Sequence, residues 1–131
     1  MSLNEISYQI RGAVFDVYNE LGPGLMENVY EKALIMELLN RGLQVENQVP
    51  IEVLYKSFDL GLQYRVDLLI NKQVIIELKS VEILLPVHHK QLITYLKLAQ
   101  KPLGFLINFN TESIKDNIIR IANDKNHPDL K

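Results

Sequence analysis

The apolar residues of this chain change their period at Leu43, and that switch fixes the class of fold it can adopt. Before it they recur every three or four positions. From about Asn4 to Leu21 the stripe is Ile6, Ile10, Val14, Val17 and Leu21. From about Met26 to Arg41, Val29, Ala33, Met36 and Leu38 or Leu39 are available for packing. Both segments predict helices. Gly22 and Gly42 stand where helices end on glycine, and the Gly22-Pro23-Gly24 link is short enough to make the two helices neighbours. From Leu43 the period is two. Val45, Val49, Ile51 and Val53 alternate with Gln44, Gln48, Pro50 and Glu52, a strand with a wet face. Pro50 lacks the N–H a ladder needs, so this strand belongs at an edge or carries an irregularity.

A turn near Lys56-Ser57 leads to Phe58–Ile70. There Leu60, Leu62, Tyr64, Val66, Leu68 and Ile70 are expected on one face, and Asp59, Gly61, Gln63, Arg65 and Asp67 on the other. After the polar turn Asn71-Lys72-Gln73, the run Val74–Lys79 is near-continuously apolar, which predicts a central strand. The connector Ser80–Val87 contains Ile83-Leu84-Leu85-Pro86 and is too apolar to be freely solvated. A third helix is predicted from His88 to about Ala99, and a fourth strand over Leu103–Phe109 behind Pro102. Thr111 is placed to cap a last helix through about Ala122, with Ile114, Ile118 and Ile121 inward. The order is ααβββαβα, an α+β (α/β) class. At 131 residues, with no linker, residues 1–122 are expected to form one domain. The polar stretch 123–131 is expected to fray.

Composition narrows the function classes. Apolar residues make up 47% of the chain and charged residues 23%, which argues against global disorder. Cysteine is absent, so disulfides and thiolate metal sites are excluded. Apolar runs are too short to span a bilayer and no signal-like segment opens the chain, so no membrane association and a cytoplasmic location are expected. The net charge of −2 lends no support to a nucleic-acid partner, though a local basic patch can coexist with an acidic remainder.

Chemistry concentrates between Tyr64 and Lys79. Glu77 and Lys79 are two apart on a strand and share a face with Ile75, while Val74, Ile76 and Leu78 take the other. An ionised pair inside such a run is costly to desolvate unless a metal ion, a substrate or the pair itself compensates. An Asp on the preceding strand followed by Glu-x-Lys is the arrangement of metal-dependent phosphodiesterases. Its two carboxylates hold a divalent cation, and the lysine orients a water or steadies phosphate charge. Glu27, in the first turn of the second helix, sits where the helix dipole favours an ionised carboxylate, and is either a third metal ligand or a complement to the helix end. Gln91 and Tyr95 are four apart on one face of the third helix, placed to hydrogen-bond a phosphate or line a solvent boundary. His88 lies one turn earlier, and His88 and His89 point in different directions and do not form a zinc pair. Lys79 fits a charge-stabilising group or a salt bridge with Glu77, Asp67 or Glu27. Both readings are open at this point.

The stretch Gly24-Leu25-Met26-Glu27-Asn28-Val29-Tyr30 resembles the motif of the GxxExxY proteins, small prokaryotic members of the PD-(D/E)XK nuclease superfamily. The resemblance extends through Gln48-Val49-Pro50, Tyr64-Arg65-Val66-Asp67, Ile76-Glu77-Leu78-Lys79, Leu85-Pro86-Val87-His88, Gln91 to Leu96 and Leu106-Ile107-Asn108-Phe109. It implies a restriction-endonuclease-like fold, a mixed β-sheet flanked by helices, with a site for Mg²⁺ or Mn²⁺. By the resemblance Asp67, Glu77 and Lys79 are the motif residues, Glu27 the helix glutamate that completes the metal site, and Gln91 the helix glutamine. Val66 stands where the superfamily's nominal proline would be. Tyr30 shares the helix face of Glu27, as its orienting neighbour or as a core residue. The implied activity is hydrolysis of DNA or RNA phosphodiester bonds, with a possible homo-oligomer. The alternative is a catalytically silent module on the same fold, acting through a partner, with Ile83-Leu84-Leu85 as contact surface or dimer seam. Hydrolysis of another phosphoester is a third reading, against which stands the lack of a Gly-rich phosphate loop.

Overall fold

A computed structural model of the chain describes residues 1–123, so the tail expected to fray lies, from residue 124 onward, outside the described residues. Helix α1 (Leu3–Leu21) opens on Ser2, whose hydroxyl accepts the Glu5 N–H, and closes at Gly22 with φ 68°. Helix α2 (Glu27–Asn40) follows the short link. Its buried stripe is Tyr30, Leu34 and Leu38; Leu38 is as expected, but Tyr30 and Leu34 each stand one position after the expected Val29 and Ala33, and Met36 is 63% exposed. The helix is apolar on more than one side, so periodicity alone does not select the buried face. Tyr30 selects it, stacking on Phe109 at 4.4 Å between ring centroids.

Strands β1 (Val45–Tyr55), β2 (Phe58–Ile70) and β3 (Val74–Lys79) form an antiparallel meander. Helix α3 (Pro86–Ala99) then crosses over to β4 (Leu103–Asn108), which runs parallel to β3. A parallel neighbour requires such a crossover, and α3 starts with Pro86 in its first turn, where the missing N–H costs nothing. The five-stranded mixed sheet has the order β1-β2-β3-β4-β5, with β3 central and β1 at the edge, as expected from the apolar run and from Pro50.

The last element corrects the expected helix. Residues Ile114–Asn117 form a single 3₁₀ turn, and Ile118–Ala122 form β5, antiparallel to β4. Thr111 does not cap a helix: its hydroxyl accepts from Ser113 N–H and from the Asn117 amide. The residues assigned to one helical face are divided between the two faces of the sheet. Ile114 and Ile118 pack under α1 and α2, while Ile121 packs under α3 with Ile119. Four residues in five of this strand are apolar and three are β-branched isoleucines, which suits a pleated surface better than a helix.

Two cores result. One lies between the sheet and α1 and α2, with Leu68, Ile70, Val74, Ile76, Leu78, Phe105 and Ile107. The other lies under α3, with Ile51, Val66, Leu69, Ile75, Leu92, Tyr95, Leu96 and Leu106. Among the described residues no helix is long and apolar enough to cross a membrane. Contact between α3 and the sheet depends on Gly104, where an added Cβ would lie 3.0 Å from fully buried Leu92. Gly104→Val is therefore expected to lower stability by about 1–3 kcal/mol through overpacking, read as an earlier midpoint in urea denaturation. An unchanged midpoint would show that α3 is not seated on β4 as described.

Candidate active site

The two outer strands turn over together at one position. Val45 faces α1 and α2, yet Val49 and Ile51 face α3; Leu68 and Ile70 face α1 and α2, yet Val66 faces α3. The break falls at Gln48 on β1, with φ 52°, and at Asp67 on β2, and no strand pair is formed there although the register on either side is the same. The expected alternation from Leu60 to Ile70 is thus corrected. Period-two reading assumes an unbroken pleat, and a residue in the left-handed region interrupts it. The Gln48 amide donates to Glu31 Oε1 at 2.7 Å and Asp67 Oδ1 at 3.4 Å, fixing the point of reversal.

On its other side Asp67 stands where β2 and β3 part. Their last ladder pair is Leu68 with Ile76. Beyond it, side chains take over: Asp67 Oδ2 accepts the Leu78 N–H at 2.7 Å, and Glu77 Oε1 accepts the Asp67 N–H at 3.2 Å. Both carboxylates are held by opposing backbone donors, the kind of bond that fixes a charged acceptor firmly. Glu77 is only 6% exposed. Burial first, and the Asp67 charge second, push its carboxyl up to about 8, against weaker relief from the Asp67 N–H and Lys79. Tyr95, on the same sheet face, has its hydroxyl pKa raised by burial, then by Glu77, Tyr64 and Asp67. Its ring lies 5.3 Å from that of Tyr64.

From the α2 side, a cleft of about 220 Å³ opens onto Asp67, lined by Glu27, Asn28, Glu31, Gln48, Asp67 and Leu78. Glu27 reaches it because the loop before α2 is tied down at both ends. The Tyr30 hydroxyl donates to Gly22 O at 2.6 Å and accepts from Leu25 N–H, and the Ser80 hydroxyl donates to Leu25 O at 2.6 Å. Tyr30 therefore acts on the loop and the core, with no hydrogen bond to the Glu27 carboxylate. Buried Asn108 clamps the chain leaving β3, bonding both the N–H and the carbonyl of Val81.

Lys79 is half-buried at the end of β3. The sole ion pair among the described residues is Arg41–Asp16, so Lys79 makes none, against the salt-bridge reading. Its charge is felt by Glu77 and by His88. His88 Nδ1 accepts the Leu85 N–H, so the neutral ring carries its proton on Nε2. Burial, Lys79 and His89 lower its pKa while Glu27 opposes them. Gln91 is exposed on α3 and hydrogen-bonds to none of these groups. Asp67, Glu77, Lys79 and Tyr95 thus gather around the parted strands, Glu27 lies across the cleft, and Gln91 stands outside.

Glu31 and Gln48 were not singled out from the sequence. Burial raises the Glu31 carboxyl, opposed by the Gln48 amide and reinforced by Asp67 and Glu27. The available signal was spacing: Glu27 and Glu31 are four apart, a like-charge pair that an isolated helix disfavours. Among the described residues no three His, Cys, Asp or Glu side chains are grouped to hold a metal by themselves. A hard divalent cation needs less, since Mg²⁺ keeps several waters and takes one or two carboxylates together with substrate phosphates. The neighbouring oxygens of Asp67 and Glu77, with no ion pair to a cation among the described residues, fit that demand once Glu77 gives up its proton.

A mixed sheet of this order, helices on both faces, and paired acids where central strands separate define a restriction-endonuclease-like α+β domain. The profile of the PD-(D/E)XK nuclease superfamily matches residues 4–121, and the chain belongs to that superfamily. Comparison with curated proteins and with solved structures gave no match.

The raised Glu77 pKa sets a pH dependence for the metal-free protein. The folded state holds this proton up to about pH 8, whereas the unfolded chain releases it near 4.5. Stability from this group is therefore greatest below 4.5, falls by at most about 1.4 kcal/mol per pH unit as pH rises towards 8, and is flat above. In chelator, Glu77→Gln is expected to melt higher than the parent at pH 8 and to flatten the profile between pH 5 and 8. Equal slopes for the two proteins in scanning fluorimetry would show that Glu77 is not held as described.

Proposed function

We propose that the chain is a divalent-metal-dependent nuclease that hydrolyses phosphodiester bonds of DNA or RNA, built on residues 1–122 as one nuclease-like unit of GxxExxY type. The observation that carries this reading is Lys79: a half-buried ammonium with no ion pair, beside two carboxylates that replace the broken β2–β3 ladder. A structural lysine would be expected to close on Glu77 or Asp67. One left open is available to a substrate anion.

In this reading Asp67 and Glu77 would hold Mg²⁺ or Mn²⁺, with Glu27 across the cleft from Asp67, and the cation would supply Lewis acidity towards a phosphate oxygen and acidify a water. Lys79 presents a point charge to the negative charge that develops on the phosphate, a role worth most where water is scarce. The Tyr95 hydroxyl, kept protonated by its surroundings, donates to a phosphate oxygen. Gln91, exposed one turn before it, meets the strand as it enters. Gln48 and Glu31 fix the orientation of Asp67. The cysteine-free sequence suits a reducing compartment, and we place the protein in the cytoplasm.

A second reading, a silent module working through a partner, draws on the connector before α3, where Ile83, Leu85 and Val87 are exposed. Lys79→Ala separates the two. The side chain makes no bond to the fold, so the variant is expected to keep the parent's melting temperature while Mg²⁺-dependent cleavage of a labelled oligonucleotide falls about 10²–10³-fold. Undiminished cleavage by Lys79→Ala, or no calorimetric Mg²⁺ or Mn²⁺ binding by the parent, would sink the nuclease reading.

A further inference from the structure

Carboxylate, ammonium and aromatic groups come to one face of the sheet. On β3 the pleat turns Ile75, Glu77 and Lys79 towards α3, since Ile75 belongs to the core under α3 and Ile76 and Leu78 to the opposite one. On β2 Val66 faces α3 too, and Tyr64, two residues before it, sets its ring 5.3 Å from that of Tyr95 on α3. The β2–β3 pairs Ile70–Val74, Leu69–Ile75 and Leu68–Ile76 keep one register. Carried past the parting of the strands, that register puts Asp67 level with Glu77, and Tyr64 level with Ser80, one residue beyond Lys79. Tyr95 is buried, whereas Tyr64 is 47% exposed. The two rings meet at 45°, so Tyr95 does not cover Tyr64 as a parallel stack would. Tyr30 and Phe109, by contrast, lie at 4° and seal each other in the core.

A single exposed ring is ordinary on a protein surface. This one stands next to the lysine at which the nuclease reading binds a phosphate, and a phosphate in a nucleic acid brings a base with it. Every base has a π-face on which an aromatic side chain can stack. In a duplex the bases are stacked and paired inside, so only an unpaired nucleotide can offer that face. We propose that Tyr64 receives the base of an unpaired nucleotide beside the phosphate bound at Lys79, which makes single-stranded nucleic acid the substrate class. The proposal rests on the nuclease reading for the place of the phosphate. Tyr64 is then a specificity-determining residue that selects unpaired over paired strands rather than one base over another. The net charge of −2 agrees with this, because stacking supplies binding that does not depend on a broad basic surface.

Fluorescence anisotropy in chelator, where no cleavage is expected, tests this with a labelled single-stranded DNA oligonucleotide and an abasic strand of equal length and charge. The parent is expected to bind the base-bearing strand about 10-fold more tightly than the abasic one. Tyr64→Leu keeps an apolar cover for Ile51, its partner across the ladder, but removes the ring. It is expected to lose the preference for bases and to bind a duplex of the same sequence as the parent does. Tyr64→Phe is expected to retain the preference. Equal weakening towards all three ligands in Tyr64→Leu would mark the ring as packing alone and overturn the proposal. So would a parent that binds the two single strands alike, or binds neither. The nuclease reading fails separately. A parent that shows the preference, and its loss in Tyr64→Leu, yet cleaves nothing with Mg²⁺, keeps the stacking site and loses the chemistry. A parent that cleaves, with Tyr64→Leu still preferring bases as the parent does, loses the stacking site alone.

Discussion

Where β2 and β3 separate, two carboxylates do what backbone carbonyls do elsewhere in the sheet. Asp67 and Glu77 accept the N–H groups of Leu78 and Asp67, so no donor is abandoned when the ladder stops. A neutral side chain would have sufficed for the hydrogen bonds. Using acids instead sets two carboxyls between central strands, and the cost of ionising both appears in the raised Glu77 pKa. Ionising both acids weakens the fold, a pattern common where a structure departs from its own regularities for chemistry.

The rest of the fold can be understood as support for that gap. Gln48 reverses the faces of β1 opposite the reversal at Asp67, so the pleat recovers on both sides and each core keeps an apolar lining. Helix α3 brings Tyr95 beside Glu77 and is seated close to the sheet because β4 carries Gly104 there. Asn108, opposite Lys79 in the parallel register, holds the exit of β3 steady.

Much of this was legible in the sequence, for identifiable reasons. Long amphipathic or uniformly apolar segments announced α1, β3, α3 and β4, and Pro50 announced an edge. Ile114 to Ile121 misled because spacings of four and three fit a helix, while consecutive isoleucines fit a strand; pairing with β4 decides the matter, and such long-range pairing is invisible to a local period. The face reversal at Asp67 was hidden for a related reason: a single left-handed residue, Gln48, on a different strand causes it. At the site, the motif acids and the lysine could be named from spacing. Glu31 escaped because its partners, Gln48 and Asp67, come from strands whose positions relative to α2 only the tertiary structure sets.

The loop that presents Glu27 is held by the Ser80 hydroxyl and by Tyr30, whose ring leans on Phe109. The acid near the start of the chain therefore takes its station from residues some fifty and eighty positions later, just past the ends of β3 and β4. Partly made or locally opened molecules hold Asp67, Glu77 and Lys79 without the wall opposite them. Completion of the cleft is thus tied to completion of the fold, and the chemistry proposed for it requires a chain that has finished assembling.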